Sequence, residues 1–331
     1  GVNWSDVYKT DVLWTTPSTE RNECDARKNN FNAVYGAMLN AVTGVPLRSN
    51  RMARFTHPEG FPDPVALFEV QIKAAKGETV TVGNGKVDYG KWVDHQPSGA
   101  SVLHKKGDKM ITSLGDDLVE EMNFILEEQY AKPFAEQGID FRKQTAFMEI
   151  LVGVDDDPEK TWERIETTRK AFEDYYGDDR PAGLIYPVSW IPNMDSIIEP
   201  QPRVISGNAD IVRSGNIENG FSTWTNIRHQ GVNEVMVSAV AGDDASNILD
   251  TIDTRIKEAG GQGLREDGVF NNAYVVANTD SQASRDSLGK FNASFSAFYE
   301  GSAPAGRTAQ FIGGIQSEGA AYGISNRAIF S

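Results

Sequence analysis

The sequence predicts an α+β protein, and three stretches of the chain carry that prediction. Apolar and polar residues alternate over much of 65–113, which is typical of β-strands. Apolar residues recur at helical spacing over 114–137, which predicts one long helix. From residue 146 onward a strand–helix–strand order occurs twice. With 331 residues, the chain is long enough for one large domain or two ordinary ones.

Residues 1–64 are predicted to be an N-terminal arm and linker. Aromatic residues such as Trp4 and Trp14 are scattered among polar ones, and a helix is predicted that follows Ser18 and runs to about Val42. Three prolines between His57 and Pro64 stop regular structure, so the linker is expected to end there.

Residues 65–113 are predicted to form an extended β-hairpin loop. The Gly83-Asn84-Gly85 segment between two short apolar stretches is a turn signal for a hairpin. Between Lys73 and Lys109 there are seven lysines and four acidic residues, so this stretch has a net charge of +3. Such a hairpin could lie across an acidic surface of another copy of the chain, or it could face water.

The region 114–145 begins with the strongest helical pattern in the chain. Apolar residues mark one face of this helix: Leu114, Leu118, Met122, Ile125, Leu126 and Tyr130. Seven acidic residues against one lysine give residues 114–137 a net charge of −6, which would complement the basic hairpin. Lys132-Pro133 should disturb the end of the helix, and Gly138 should close it.

The region 146–331 is predicted to be an α/β region with returning strands. Asp155–Asp157 and the pair Asp243-Asp244 each follow a predicted strand and precede a predicted helix, where they should cap it. Because strand–helix–strand units recur without common descent, we favour recurrence over internal duplication. The tail Phe291–Ser331 is rich in glycine and is predicted to form strands or close-packed turns.

Motifs with a defined chemistry do not occur in the sequence. We find no P-loop, no Gly-x-Ser-x-Gly elbow, no His-Glu-x-x-His and no cysteine pair with zinc spacing. The histidines are far apart at His57, His95, His104 and His229, and Cys24 stands among acidic residues that disfavour a thiolate. We therefore predict no catalytic, cofactor-binding or metal-binding residues and no cofactor.

The overall charge restricts the possible partners. A formal net charge of −15 argues against binding to nucleic-acid phosphates over most of the surface. Residues 1–58 of the arm are mildly basic, with seven basic and five acidic residues, so genome contact is expected at most through this arm. No apolar run is long enough to span a bilayer, and a single cysteine cannot form an intrachain disulfide. The Gly1 start is compatible with proteolytic maturation, removal of a methionine or a tag remnant.

The order of arm, hairpin, acidic helix and α/β units resembles the HK97-type major capsid protein of tailed viruses. That resemblance implies an HK97-like fold in which 65–113 is the extended loop, 114–137 is the spine helix and 146–331 is the axial region. It also implies a structural subunit of a virion that assembles with copies of itself and possibly with other virion proteins, without catalysis. A tail-tube or sheath component, and a monomeric binding module, remain open.

A second hypothesis from the residues themselves is an α/β enzyme or a metal-dependent protein. In open α/β sheets ligands bind at the carboxyl ends of the strands. Asp155–Asp157, Asp243 and Asp244 stand at such ends and could hold Mg²⁺.

Overall fold

The computed structural model describes most of residues 117–331, and nearer the N-terminus it describes a set of backbone strands. Inside 117–331 it leaves out 137, 189–196, 206–208, 230, 277–280 and 318. Between residues 1 and 116 it describes the backbone of six strands and seven helical positions within the helix predicted after Ser18.

Seventeen strands lie in the described parts of the chain. They are β1 (Val7–Trp14), β2 (Asn50–Arg54), β3 (Phe68–Ala74), β4 (Val80–Val82), β5 (Lys86–Asp88), β6 (Val93–His95), β7 (Thr145–Gly153), β8 (Ala182–Val188), β9 (Ile198–Val204), β10 (Asp210–Arg213), β11 (Ile217–Glu218), β12 (Phe221–Ser222), β13 (Trp224–His229), β14 (Val232–Ala241), β15 (Gly268–Val276), β16 (Gly306–Ile312) and β17 (Tyr322–Phe330).

The helices alternate with these strands in the second half of the chain. They are α1 (Leu118–Phe124), which continues as a π-helix (Ile125–Ala131) and α2 (Lys132–Ala135), then α3 (Phe141–Gln144), α4 (Pro158–Tyr176), a 3₁₀ turn (Gly177–Asp179), α5 (Ala245–Glu258), α6 (Leu264–Asp267) and α7 (Ser281–Phe298). The long helix predicted over 114–137 is thus confirmed for 118–135, with a π-helical middle.

Two six-stranded sheets form the body of the protein. Sheet 1 has the order β4-β5-β6-β9-β7-β8, and sheet 2 has the order β10-β13-β14-β17-β15-β16. In each sheet one parallel pair is joined by a crossover helix, α4 between β7 and β8 and α7 between β15 and β16. A smaller three-stranded sheet has the order β2-β1-β3.

Each sheet is covered by helices on one face. On sheet 1, Met148, Ile150 and Val152 pack against α1 and α4. On sheet 2, a core that includes Val237 and Ile324 packs against α5 and α7. Every fully buried side chain of this kind contributes about 1.5–3 kcal/mol through removal of apolar surface from water.

The other faces of the two sheets pack against each other. One apolar cluster joins Phe147 and Ala182 of sheet 1 to Ile227 and Met236 of sheet 2. A second cluster has seven fully buried members: Leu151, Leu184, Tyr186, Val188, Tyr274, Ile312 and Ile315. The edge strand β8 of sheet 1 is also hydrogen-bonded to the segment between β16 and β17 of sheet 2, since the N–H of Ile185 donates to Oε1 of Gln316 at 2.8 Å.

The strands predicted as an extended loop belong to the protein's own sheets. The β4–β5 hairpin forms as its turn signal predicts, with Val82 opposite Lys86. However, β6 pairs with β9 at Val93 and Val204, so the hairpin enlarges sheet 1. Strand β3 pairs with β1 of the predicted arm. Mixed α+β architecture is therefore confirmed, whereas an extended HK97-type loop is not observed, because backbone pairing within the chain occupies these strands.

The tail differs from its prediction at its start. Helix α7 runs to Phe298, where strands or turns were expected from Phe291 onward. Phe291, Phe295 and Phe298 are spaced four and three residues apart, which places them on one helical face against sheet 2. The remainder of the tail forms β16 and β17, as predicted.

Candidate functional site

Three of the five aspartates predicted at a metal site have structural partners in the fold, namely Asp155, Asp157 and Asp244. Asp157 and Asp244 are the N-caps of α4 and α5 and accept hydrogen bonds from backbone N–H groups of the first turn. Asp155 forms an ion pair with Arg164 at 2.6 Å. A backbone hydrogen bond from Asp157 and the Arg164 guanidinium lower the pKa of the Asp155 carboxyl. Among the described residues no group of three acidic, histidine or cysteine side chains could hold a metal ion.

Other residues discussed from the sequence lie outside the described side chains. This holds for Cys24 and for the side chains of His57, His95, His104 and His229. The Gly260–Gly263 loop follows α5, and Gly260 has a φ of +103°, which favours glycine at a helix end. In the part of the chain that the structure describes, no helix is long and apolar enough to cross a membrane.

Between the two sheets, polar side chains separate the two apolar clusters. We name this set the inter-sheet polar network, and it comprises Glu149, Gln201, Arg203, Glu234, Tyr274 and Arg327. Glu149 is flanked on β7 by Phe147 of one apolar cluster and Leu151 of the other. Charged groups in such an interface cost free energy unless they are paired, and their presence marks a candidate site.

A buried carboxylate between two arginines forms one end of the network. Arg203 of sheet 1 donates to both carboxylate oxygens of Glu234 in sheet 2, at 2.6 and 3.1 Å. Arg327 of β17 donates through Nε to the same carboxylate. Burial alone would raise the pKa of Glu234, but the two guanidinium groups outweigh burial and the pKa is lowered. The triad therefore carries one net positive charge.

Arg327 is the more accessible of the two arginines. Its side chain is 35% exposed, compared with 15% for Arg203 and 6% for Glu234. Its bond to Glu234 uses Nε, and among the described residues no hydrogen bond is formed by its two terminal nitrogens. A guanidinium held in this way presents two parallel donors, which is the arrangement that binds a carboxylate or phosphate in a bidentate manner.

A tyrosine–glutamate pair forms the other end of the network. The hydroxyl of Tyr274 in sheet 2 donates to Oε1 of Glu149 in sheet 1 at 2.5 Å. Tyr274 is fully buried and Glu149 is 8% exposed. The ring of Tyr186 lies 4.8 Å from the Tyr274 ring, centroid to centroid, and restricts its orientation.

Polar residues line sheet 2 between these two ends. Asn272 and Ser325 are opposite each other on β15 and β17, and they face sheet 1 because Ala273 and Ile324 pack on the helices. Thr308 on β16 donates to Asn272 at 3.0 Å. The register places Arg327 of β17 opposite Phe270 of β15, and Phe270 is four residues from Tyr274 on the same strand. At ~3.3 Å per residue, the Arg327 end and the Tyr274 end of the network are therefore roughly 13 Å apart along the sheet.

The network can therefore bind an anionic group at the Arg327 end and accept a proton at the Glu149 end. Sequence reasoning did not find it. The available signal is a glutamate inside the apolar stretch of β7 and an arginine near the end of each of β9 and β17, but the sequence does not reveal that these strands face one another.

Comparison with solved structures supports the fold seen here. The chain is similar to a chorismatase, with a TM-score of 0.52 and 13% identity, over 98% of this chain and 93% of that chain. A YjgF-family protein from Neisseria meningitidis matches 37% of this chain and 96% of its own, with 19% identity and a TM-score of 0.27. A Mycobacterium tuberculosis member of that family matches 37% and 100%, with 20% identity and a TM-score of 0.29. No protein-family model and no curated protein matches the sequence.

The chorismatase likeness corrects the resemblance inferred from segment order. Over nearly the whole chain the fold is similar to that of a chorismatase and not to that of a capsid protein, so the HK97-type capsid assignment, its virion function and the prediction of a protein without catalysis are contradicted. The physical reason is that segment order does not specify which strands pair. Strands β4 to β6 extend sheet 1, and two sheets with helices outside pack face to face. Self-association with further copies stays a prediction.

Proposed function

We propose that this chain is an enzyme that acts on a small carboxylate molecule bound between the two sheets. The observation that carries the proposal is the Arg203–Glu234–Arg327 triad, which joins both sheets and has a net positive charge. The fold likeness to a chorismatase supports an enzymatic function and suggests chorismate, a carboxylate, as the first substrate to test.

The arrangement favours a bound anion over a purely structural role. Glu234 by itself would satisfy one arginine, and Arg203 already contacts both of its oxygens. The second guanidinium thus adds a positive charge that Glu234 alone does not neutralise. A substrate carboxylate at the terminal nitrogens of Arg327 would balance that charge, and such charge-assisted hydrogen bonds are worth about 1.5–3 kcal/mol.

The test is a calorimetric titration of chorismate into the wild-type protein and into Arg327→Ala. Loss of the guanidinium should weaken binding by roughly 10- to 100-fold, as 1.4 kcal/mol corresponds to a factor of ten. Arg228→Ala is the matched control, because Arg228 is an exposed arginine on β13 of the same sheet. It should bind within about twofold of the wild type.

Turnover is measured on the same samples by following the proton NMR signals of chorismate. We expect the signals to decay with the wild-type protein and with Arg228→Ala, and to persist with Arg327→Ala. Equal binding by the wild type and Arg327→Ala, or the absence of chorismate turnover in the wild type, would contradict the proposed function.

A further inference from the structure

We propose that Glu149 is the general base of the inter-sheet site and that Tyr274 is its positioning residue. This inference rests on the proposed function, since it assigns a catalytic role within the same site. It concerns the end of the polar network opposite the Arg327 guanidinium.

The Tyr274–Glu149 hydrogen bond joins a hydroxyl donor to a carboxyl group that is buried between the sheets. The observed distance from Oη of Tyr274 to Oε1 of Glu149 is 2.5 Å. A carboxylate that accepts such a bond is stabilised in its charged form, which is the form that can take up a proton.

The neighbours of Glu149 are consistent with an ionised carboxylate. Gln201 is directly opposite Glu149 on β9, and Arg203 is the next residue of that strand on the same face. Glu199 lies on the other side of Gln201 and bonds to the Gln201 amide. The nearby positive charge of Arg203 favours an ionised Glu149, whereas Glu199 opposes it, and the Tyr274 hydroxyl adds a direct donor.

Rigid placement distinguishes this carboxylate from an ordinary buried acid. Glu149 lies within a sheet strand, and the Tyr274 hydroxyl that fixes its Oε1 comes from the facing sheet. The Tyr186 ring holds the tyrosine in turn. Such a base–orienter pair is the arrangement that general-base catalysis requires.

The proposed step is a single proton transfer. The Glu149 carboxylate takes a proton from a hydroxyl of the bound substrate or from a water molecule beside it. The O–H bond breaks, its electron pair stays on that oxygen, and a new O–H bond forms on the carboxyl group. Glu149 later returns the proton to the product or to water, so that no other reactant is needed.

The first test needs no substrate. In protein labelled with ¹³C at the glutamate side-chain carboxyl carbon, the resonance that is missing in Glu149→Gln belongs to Glu149. We expect the chemical shift of a carboxylate at pH 7 in the wild type, and a shift toward the protonated acid in Tyr274→Phe. A protonated Glu149 at pH 7 in the wild type would overturn the proposal.

The second test is kinetic and uses chorismate. Glu149→Gln should lower kcat by about 100-fold or more, the usual size of a general-base effect, with KM within about threefold. Glu163→Gln, an exposed glutamate of α4, is the control and should keep wild-type kinetics. In Tyr274→Phe, the acid limb of the kcat profile should move to higher pH, which loss of a merely structural contact would not cause.

The two proposals can fail separately. If the wild type turns over chorismate and Glu149→Gln does so at an unchanged rate, the base assignment is wrong while the proposed function stands. If the wild type neither binds nor consumes chorismate, the proposed function fails. A protonated Glu149 at pH 7 would overturn the base assignment whatever the outcome with chorismate.

Discussion

Replacing Glu234 by glutamine should destabilise the protein more than any exposed ion-pair substitution. Glu234 is buried, and Arg203 and Arg327 both donate to its carboxylate. A neutral amide leaves the two guanidinium groups close together between the sheets without the carboxylate to which both donate. Breaking a buried ion pair by removal of one partner costs about 3–5 kcal/mol, and we expect the free energy of unfolding to fall by that amount.

The assay is urea unfolding followed by circular dichroism, with Glu166→Gln as the matched control. Glu166 pairs with Arg169 on the surface of α4, and its side chain is 41% exposed. An exposed ion pair contributes about 0.2–1 kcal/mol, so Glu166→Gln should barely change the urea concentration at the unfolding midpoint. A Glu234→Gln loss no larger than that of Glu166→Gln would refute the reasoning that the triad is a buried, paired unit.

The same pair of variants yields a pH dependence with a definite sign. The pKa of Glu234 in the folded protein lies below its ordinary value of 4.5. Its carboxylate therefore contributes its full stabilisation above about pH 4.5, and the contribution is lost as the pH falls through the folded-state pKa. The stability difference between the wild type and Glu234→Gln should be constant from pH 5 to 7 and shrink in stronger acid.

Three further outcomes are expected. Gly183→Ala should lower the free energy of unfolding, measured by chemical denaturation, by about 1–3 kcal/mol or more, because a Cβ there would collide with the carbonyl oxygen of Met148. Gly215→Ala is its control and should be close to neutral, since the space around Gly215 is open. Asp244→Ala should cost about 1 kcal/mol in the same assay through loss of the α5 N-cap. Calorimetric titration with Mg²⁺ should give no tight binding, and an Asp156→Ala/Asp243→Ala double variant should leave the heats unchanged.

Local elements of the fold were predictable because their signals are local. The apolar stripe of the helix over 118–135 and the capping aspartates Asp157 and Asp244 act within a few residues, and the structure confirms them. The two strand–helix–strand units around α4 and α5 are confirmed for the same reason. The helical start of the tail differs from the prediction because the glycines of the tail lie mostly beyond this helix, whereas Phe291, Phe295 and Phe298 have helical spacing.

Strand pairing was not predictable, because it depends on contacts between residues far apart in the chain. The net charge of 73–109 suggested a partner in another copy, yet the neighbour of β6 is β9. A hairpin turn fixes only the pairing of its own two strands, here Val82 with Lys86, and does not specify the next strand of the sheet.

The candidate site requires knowledge of how the two sheets face each other. On β7 the period-two alternation places Glu149 on the same face as Leu151, so an isolated sheet 1 would expose a glutamate beside a leucine. Only the second sheet supplies the Tyr274 hydroxyl and the Glu234 carboxylate that satisfy Glu149 and Arg203. Neither half of the chain is therefore sufficient for the site. Changes that loosen the contact between the sheets should impair binding and stability together, whereas changes at the helix-covered faces should affect stability first.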